Sequence, residues 1–382
     1  MAGHRWLRGV ASLVVVGVAV LSWGRPAAVH GQAAPVTVGL EAPLTGDDAQ
    51  FGKVMEQGAR MAFAQVNATG GILGHRVDLV PCDDQAKPAT AVACAQRFVT
   101  QDHVVAVLGG FNSSPTLAAQ AVTGKARVIQ IHMGASPKLT DAHKTNPYLF
   151  RIILTSEKFA PYVARYVVGQ LHHRRIAVLY ENTDYGRSEA DIFGPLASRL
   201  GAQVVAREAY NPGDKDFSAQ ITKIKSLRPD AIMIGGLYTE AALIAQQAHQ
   251  AGLSVQLFGI SDGVDSPQLI ALGGRDVEGY IFASMIDLDR RDPQVLAFTR
   301  LARTMGVTPE AYTAITYDAA EVLARALRAG GLDPDRTRDA LATIRMTSVT
   351  GPISFDANGD RNSAPFIRQV KGGTFVTVVA PH

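Results

Sequence analysis

Apolar segments of strand length alternate with amphipathic segments of helix length along most of this chain, and the alternation occurs twice. Apolar strands that are separated by helices are typical of parallel sheets covered by helices on both faces. The first set of segments ends near Arg151, and a second set begins after it. Two consecutive sets predict an α/β protein with two doubly wound parallel-sheet lobes.

The same pattern predicts the bounds of the individual elements. In the first set, the predicted strands are 36–42, 76–84, 104–110 and 128–131, and the predicted helices are 51–67, 88–99 and one that begins at Pro115. In the second set, the predicted helices are 157–171, 187–200, 216–226 and 239–251, and the predicted strands are 175–181, 202–210, 230–236 and 255–260. Helices near 293–305 and 309–329 follow. Three short strands, 351–356, 364–370 and 374–380, are expected to extend the edge of a lobe.

Residues 1–31 carry the features of a secretory signal peptide. A basic start is followed by an apolar run that is short for a membrane span, and then by small residues that include Val29 and Gly31. No cysteine lies near the predicted cut, which disfavours a lipid anchor. The sequence therefore predicts export to the periplasm.

The charge of the chain gives no support for nucleic-acid binding. The formal net charge is +3, but Arg5, Arg8 and Arg25 precede the predicted cut and no acidic residue does. The remaining chain has equal numbers of basic and acidic residues, so we expect no nucleic-acid partner.

The chain has two cysteines, Cys82 at the end of a predicted strand and Cys94 in the helix that follows. In an oxidising compartment this pair is either a disulfide or two free buried thiols, and the sequence leaves both open. Neither cysteine has the Cys or His partners that a metal site requires, so no metal site is expected.

The segment LGGFNSSPT leaves the strand 104–110 through two glycines and enters a helix. Pro115 suits the first helical position, which makes Ser114 the expected N-cap and places Ser113 just outside the helix. Free N–H groups and the positive end of the helix dipole would then face the carboxyl end of the sheet, where a carboxylate can bind. Glycine also lets a ligand approach the backbone closely. The alternative is an ordinary capped turn.

Other predicted strands end in polar and aromatic residues as well. Phe51 follows the loop after the first strand, and Tyr185, Tyr238 and Asp262 follow strands of the second set. Hydroxyls and N–H groups of one lobe would then face tyrosines and an acid of the other. This arrangement suits a small ligand with a negative end and a positive end.

The motifs LEAPLTGDDAQFG, GGILG, LGGFNSSPT, ASPKLT, YENTDYGRS, GDKDFS and GPISFDANGD occur in this order over residues 35–380. In this respect the chain resembles the periplasmic leucine/isoleucine/valine-binding proteins, which are type I solute-binding proteins of ABC importers. The resemblance implies two lobes joined by a three-segment hinge, with crossings near 150–154, 285–290 and 353–356. Lobe one is then 34–153 with 287–355, and lobe two is 154–286 with 356–382.

The resemblance also implies a role for each candidate ligand-binding residue. Ser113 matches the serine that holds the ligand carboxylate, Asp262 the acid that meets the ammonium group, and Tyr185 an aromatic residue of the cleft. Phe51 falls where the family often has an aromatic residue. The full set of candidates is Phe51, Asn112, Ser113, Ser114, Ala135, Ser136, Tyr185, Tyr238 and Asp262.

Two positions depart from the pattern of the amino-acid-binding members. Ala135, followed by Ser136, stands where those members have a threonine or serine that helps to clamp the amino acid. Leu237 stands at a position that they fill with an aromatic residue, and the tyrosine is displaced to Tyr238. The resemblance therefore implies a branched-chain or related amino acid as the ligand, with aromatic or aliphatic carboxylates and amides as alternatives.

The expected protein is a monomer that binds a small solute, uses no cofactor, catalyses no reaction and delivers its ligand to an ABC permease in the inner membrane. One alternative is a sensor with the same binding lobes that signals to a receptor. Another is a secreted hydrolase on a doubly wound fold, although the chain has no G-x-S-x-G elbow and no P-loop. The segment DANGDRN (356–362) resembles a calcium loop but lacks its sixth-position glycine and its glutamate, so it predicts a tight turn.

Overall fold

The structure is a computed structural model, and it describes residues 34–381. The predicted signal peptide, 1–31, lies outside these residues.

Strands and helices alternate through most of the described chain. The strands are β1 (Val36–Ala42), β2 (Val77–Asp83), β3 (Ala106–Leu108), β4 (Ile129–His132), β5 (Leu149–Arg151), β6 (Arg175–Glu181), β7 (Gln203–Tyr210), β8 (Ala231–Gly235), β9 (Gln256–Phe258), β10 (Ile281–Ser284), β11 (Met346–Ser348), β12 (Gly351–Ile353), β13 (Phe366–Lys371) and β14 (Thr374–Val379). The α-helices are α1 (Ala49–Ala68), α2 (Pro88–Thr100), α3 (Ser113–Lys125), α4 (Pro137–His143), α5 (Ser156–Ala164), α6 (Asp184–Arg199), α7 (Ser218–Ser226), α8 (Tyr238–Gln250), α9 (Gln268–Gly273), α10 (Pro293–Thr304), α11 (Ala311–Gly330) and α12 (Pro334–Thr343). A π-helical segment, Arg165–Gln170, continues α5, and a 3₁₀ turn, Gly274–Val277, follows α9.

The strands form two large sheets with the same internal order. The first sheet has the order β2-β1-β3-β4-β5, and all of its pairings are parallel. The second contains β7-β6-β8-β9-β10 in parallel, which repeats that order, and adds the antiparallel hairpin β13–β14 at its β10 edge. Both sheets are therefore doubly wound, as the alternating pattern predicts.

Helices cover both sheets, so central strands such as β8 are buried along their whole length. This explains why β3 and β8 are continuous apolar runs with no polar alternation. Beside the first sheet, helix α1 packs against helix α11, and Gly58 of α1 lies directly beside the carbonyl oxygen of Thr313 of α11. A Cβ at Gly58 would lie 2.2 Å from that oxygen, so the two helices could not approach as closely with any larger residue there.

The structure corrects the expectation for the predicted strand 351–356. Its first residues form β12, which pairs with β11 in a separate two-stranded sheet and does not extend a large sheet. Only β13 and β14 extend an edge, as expected. The elements α4, β5, α9, β10, β11 and α12 were not predicted as such. Most of these are three to seven residues long, too short for a clear hydrophobic period.

Three segments connect the elements of one large sheet to those of the other, and Arg361 joins two of them. Its fully buried guanidinium donates to the carbonyl oxygen of Ile152 at 3.2 Å, between β5 and α5. It also donates to the carbonyl oxygens of Thr350 and Pro352, both at 2.9 Å, beside β12. The remaining crossing lies between β10 and α10. The lobe boundaries given above, 34–153 with 287–355 and 154–286 with 356–382, stay a prediction.

Cys82 on β2 and Cys94 on α2 form a disulfide, with 5.8 Å between their Cα atoms. Of the two open alternatives, the structure therefore has the bonded pair. The bond fixes an edge strand to the helix beside it and closes a short loop that contains Ala86 and Pro88. Within residues 34–381, no helix is both long and apolar enough to span a membrane.

Replacing both cysteines with alanine should lower the free energy of unfolding by about 3 kcal/mol, because the unfolded chain then regains the freedom of a loop of this length. Urea unfolding of C82A/C94A and of the oxidised parent would measure the difference. Reducing the parent with dithiothreitol should give a similar loss. An unchanged unfolding midpoint in both experiments would contradict this prediction.

Candidate functional site

A cavity of about 260 Å³ lies between the carboxyl ends of the two large sheets. In a sheet of order 2-1-3-4-5, the loops after the first and third strands diverge and leave a crevice between them. In the first sheet these are the loops after β1 and β3, which supply Asp48 and Phe111 to the cavity wall. In the second sheet they follow β6 and β8, which supply Glu181 and Leu237. The cavity therefore joins the two positions at which each sheet can hold a ligand.

The amino end of α3 forms part of the wall contributed by the first sheet. The helix begins one residue earlier than expected: its N-cap is Asn112, in extended conformation, and Ser113 is its first residue. The predicted N-cap at Ser114 is therefore wrong. The N–H of Thr116 bonds to the carbonyl oxygen of Asn112, which starts the helix one residue earlier, while the Asn112 side chain donates to Asp48 Oδ2 at 2.9 Å instead of capping the helix. The first N–H groups of α3 have no partner within the helix, and the helix dipole adds positive potential there.

Ser113 and Ala135 lie side by side in this wall. Ser113 Oγ accepts a hydrogen bond from the N–H of Ser136 at 3.2 Å, which keeps the hydroxyl hydrogen free to donate. The carbonyl oxygen of Ala135 accepts from the N–H of Ser156 at 2.9 Å. The N–H of Ala135 therefore stays the more accessible backbone group at this position. With Ser113 and the α3 terminus, it gives this wall a surplus of donors.

The second sheet contributes Tyr185 and Asp262 to the opposite wall. Tyr185 lies at the start of α6, and its hydroxyl is 2.8 Å from Ser261 Oγ. Asp262 follows β9 and is 2% exposed, and its Oδ2 has no hydrogen-bond partner within residues 34–381. A buried carboxyl oxygen without a donor is costly unless a ligand or water supplies one.

Burial, together with the charge of Asp265, raises the pKa of Asp262 to about 8. Glu189 adds repulsion, whereas a hydrogen bond from Tyr312 opposes the rise. A cation placed beside Asp262 would remove this penalty by stabilising the carboxylate. The two walls therefore differ in character, with donors on one side and an unsatisfied acid on the other.

Six of the nine predicted site residues line the cavity: Asn112, Ser113, Ser114, Ala135, Tyr185 and Asp262. Phe51 and Tyr238 lie behind the wall. Phe51 is fully buried and stacks on Phe111 with 4.2 Å between ring centroids. Tyr238 packs on Phe51 and donates its hydroxyl to the carbonyl oxygen of Asp47 at 2.9 Å. Ser136 is also buried outside the lining, and its carbonyl oxygen accepts from Arg151.

The two glycines of LGGFNSSPT do not face the cavity. A Cβ at Gly109, which has a φ of +105°, would lie 1.9 Å from the carbonyl oxygen of Glu41. A Cβ at Gly110 would lie 2.7 Å from Thr116 Oγ1 and 2.8 Å from Glu41 Oε1. These glycines therefore let the loop after β3 pack against β1, and the expectation that they admit a ligand is wrong.

Several residues of the lining were not predicted. They include Asp48, Phe111, Met133, Glu181, Leu237 and Tyr312. Glu181, the last residue of β6, could have been found from the rule that ligands bind at strand carboxyl ends. Tyr312 lies at the start of α11 and is brought in by packing against Phe51 and Phe111, so no local signal marks it.

The loops of the two sheets touch across the mouth of the cavity. Lys138 pairs with Asp184 at 2.6 Å, and Lys215 pairs with Asp47 at 2.8 Å. Ser114 Oγ, which lines the cavity, accepts from the N–H of Asp184 at 3.0 Å. These contacts join the loops of the two sheets beside the cavity.

No group of three or more metal-ligating side chains occurs in the part of the chain that the structure describes. The DANGDRN segment forms the predicted tight turn, in which Asp356 Oδ1 accepts from the N–H groups of Asn358 and Asp360. The acids of this turn are paired, Asp356 with Lys158 at 2.8 Å and Asp360 with Arg151 at 3.2 Å.

Comparison with known proteins places the chain in a family. The profile described as periplasmic binding protein matches residues 35–374. The chain is 32% identical over 371 residues to an amino acid binding protein of Pseudomonas aeruginosa, which covers 96% of each chain. It is 33% identical to Leu/Ile/Val-binding protein homolog 2 of Brucella abortus, over 87% of this chain and 90% of that protein.

The fold agrees with these matches. The crystal structure of the leucine binding protein LivK from Thermotoga maritima is similar, with a TM-score of 0.84 and 28% identity, over 90% of this chain and 98% of that one. The two doubly wound sheets with a cavity between them are thus the type I periplasmic binding protein fold. The chain belongs to the periplasmic binding protein family.

Proposed function

We propose that this chain is the extracytoplasmic solute-binding subunit of an ABC importer, and that it captures a small carboxylate-bearing solute, a branched-chain or related amino acid. One observation carries this proposal: the cavity has the donor-rich end of α3 on one wall and the buried, unsatisfied carboxyl of Asp262 on the other. An α-amino acid has a carboxylate for the first wall and an ammonium group for the second. The similarity to a Leu/Ile/Val-binding protein homolog of Brucella abortus and to the leucine binding protein of Thermotoga maritima supports the same class.

In this proposal each end of the amino acid meets groups of opposite character. The carboxylate accepts hydrogen bonds from the Ser113 hydroxyl and from the first N–H groups of α3, where the helix dipole also favours an anion. The ammonium group donates to Asp262 Oδ2, with the Tyr185 ring beside it. Charge-assisted hydrogen bonds of this kind are strongest where water is excluded.

Binding is coupled to closure of the two lobes about their three connections. The ligand binds first to the wall of the first sheet, and the second sheet then brings Tyr185 and Asp262 over it. The contacts of Lys138 with Asp184 and of Lys215 with Asp47 form in the closed state. The closed monomer in the periplasm then presents one surface to a membrane permease, and the solute is released unchanged.

Isothermal calorimetry of protein that has been unfolded and refolded to remove any copurified ligand tests this function. Leucine, isoleucine and valine are compared with the corresponding deaminated carboxylates. Binding of the amino acids alone supports the zwitterion site. Binding of the carboxylates alone supports the second candidate, a carboxylate binder, which is favoured by the missing hydroxyl at Ala135. If neither class binds, the proposal fails.

Affinity for an amino acid should rise between about pH 6 and pH 8. The pKa of Asp262 is raised to about 8 in the folded protein without ligand, so at lower pH the carboxyl holds a proton that the ammonium must displace. Each pH unit in this window can therefore change the affinity by up to about tenfold. The deaminated carboxylate lacks the ammonium and should show no such rise. Calorimetry across this range checks the prediction, and parallel pH profiles for the two ligands would contradict it.

A further inference from the structure

Acidic side chains occupy both sides of the cavity at a distance from Asp262. Glu181 ends β6 and is 6% exposed, and Asp48 lies opposite it in the loop before α1. Burial, together with the charges of Glu240 and Asp48, raises the pKa of Glu181 to about 8. Burial also raises the pKa of Asp48 to about 6. Closing the cleft therefore brings like charges together, with Lys215 partly offsetting the charge of Asp48.

Hydrogen-bond acceptors dominate this part of the wall. Asn112 uses its amide N–H to bind Asp48, which leaves its Oδ1 buried and without a partner among residues 34–381. Glu181 Oε2 accepts from Thr183 Oγ1 at 3.0 Å, and no bond to its Oε1 is present in the same range of residues. The carboxyl oxygens and this amide oxygen together form a subsite that can only accept hydrogen bonds from a ligand when the acids are ionised.

A second polar group behind this subsite is also unsatisfied. Tyr210, the last residue of β7, is 2% exposed, and its hydroxyl has no partner within the described chain. Glu181 and Glu240 are the first two charges that act on it. Tyr210 does not line the cavity, so a ligand donor is expected at the acceptors of Asn112 and Glu181, which do line it, because native proteins rarely leave buried polar groups unpaired.

The basic side chains nearby do not fill this role. Arg187, which also lines the cavity, donates to the carbonyl oxygen of Asn182 at 3.1 Å. Lys215 is more than half exposed and pairs with Asp47 at the mouth. The negative charge of Glu181 is thus left to the ligand, whereas Lys215 partly offsets that of Asp48.

The spacing of the strands fits a ligand that spans both acidic positions. Glu181 ends β6 and Asp262 follows β9, and β8 alone lies between these strands in the sheet. A ligand that reaches from Asp262 to Glu181 therefore spans the width of β8. A side chain that ends in nitrogen can donate to Glu181 there, whereas a branched aliphatic one would place methyl groups against carboxylates.

We propose that the solute is an amino acid whose side chain ends in a nitrogen with N–H donors. These donors bind to the carboxylates of Glu181 and Asp48 and to the side-chain oxygen, Oδ1, of Asn112. The group is an amine, a guanidinium or a carboxamide, which share the required donors. This inference rests on the proposed function, in which the α3 terminus and Asp262 hold the α-carboxylate and the α-ammonium.

Calorimetry of the mature protein at about pH 7.5 with lysine, arginine, glutamine and leucine tests the inference. At least one of the three nitrogen-bearing ligands should bind at least tenfold more tightly than leucine. Preference for lysine or arginine identifies a cation subsite, and preference for glutamine an amide subsite. Leucine binding as tightly as the best of them would overturn the inference and leave the proposed function standing. No binding of any amino acid would count against the proposed function itself.

The variant Glu181→Gln tests whether Glu181 causes the preference for a nitrogen-bearing side chain. The substitution keeps the shape and removes the charge, so it should weaken lysine or arginine at least tenfold and leave leucine within about twofold. Glutamine should change less, because the new amide still accepts a hydrogen bond. The matched control is Glu208→Gln on β7, which removes one charge that is paired with Lys223 at 2.6 Å, away from the cavity lining. Equal effects of both variants, or an equal loss for leucine, would overturn the assignment to Glu181.

Discussion

Replacing Arg361 with methionine is expected to lower the free energy of unfolding by about 3–5 kcal/mol. The guanidinium is fully buried and donates to three carbonyl oxygens and to Thr350 Oγ1, which lies 2.7 Å away. The buried carboxylate of Asp318 accepts from the N–H groups of Val349 and Thr350, and its charge acts favourably on Arg361. Methionine would leave these carbonyl groups without donors and Asp318 without a compensating charge, and losses of this size follow when a buried charge loses its partner.

Urea unfolding of the ligand-free protein measures this loss. Arg60→Met is the matched control, because Arg60 is half exposed and pairs with Glu56 one helical turn away on α1. Exposed pairs of this kind contribute little, so the control should change the stability by no more than about 0.5 kcal/mol. A loss below about 1 kcal/mol for Arg361→Met would show that the connecting segments hold together without it.

Replacing Asp262 with asparagine should weaken the binding of an amino acid by about 2–4 kcal/mol, or about 30- to 1,000-fold in the dissociation constant. Asparagine keeps the shape of the side chain but cannot form a charged pair with the ammonium group. The ligand-free protein should not lose stability above pH 7. The folded-state pKa of Asp262 is raised to about 8, so its ionisation destabilises the fold as pH rises from the unfolded-state pKa, and the amide removes this effect.

Calorimetry with an amino acid and with its deaminated carboxylate separates this role from a general loss of structure. Asp262→Asn should spare the carboxylate, which has no ammonium group. Ser113→Ala, on the opposite wall, should weaken both ligands by about 1–3 kcal/mol, because both depend on the lost hydroxyl donor. Equal weakening of the two ligands by Asp262→Asn would contradict the assignment of the ammonium group to this residue.

The alternating sequence pattern was sufficient to predict the two doubly wound sheets, because buried parallel strands and amphipathic helices leave clear periods. The short elements were not predicted. β10 is four residues long and follows a 3₁₀ turn, and α4 spans only seven residues after Ser136. In both, tertiary packing determines the structure where the local period is too brief to be read.

The site residues at strand ends were predictable from the sequence. Residues that line the cavity only because their side chains point toward it were harder to predict. Leu237 and Tyr238 are adjacent at the start of α8, yet Leu237 lines the cavity and Tyr238 turns toward Asp47. A one-residue step on a helix rotates a side chain by about 100°, and the sequence does not say which of the two faces inward. Tyr312 required the packing of α11 on α1, which joins residues far apart in the chain.

The hairpin β13–β14 has a further consequence for solubility. Without it, β10 would be the outer strand of its sheet, and all four of its residues, Ile281–Ser284, are buried. A flat apolar border with free N–H and C=O groups is a template for pairing with another chain and so for aggregation. The hairpin moves that border to β14, a strand with exposed or half-exposed side chains throughout. These residues therefore protect the protein against self-association through the edge of this sheet.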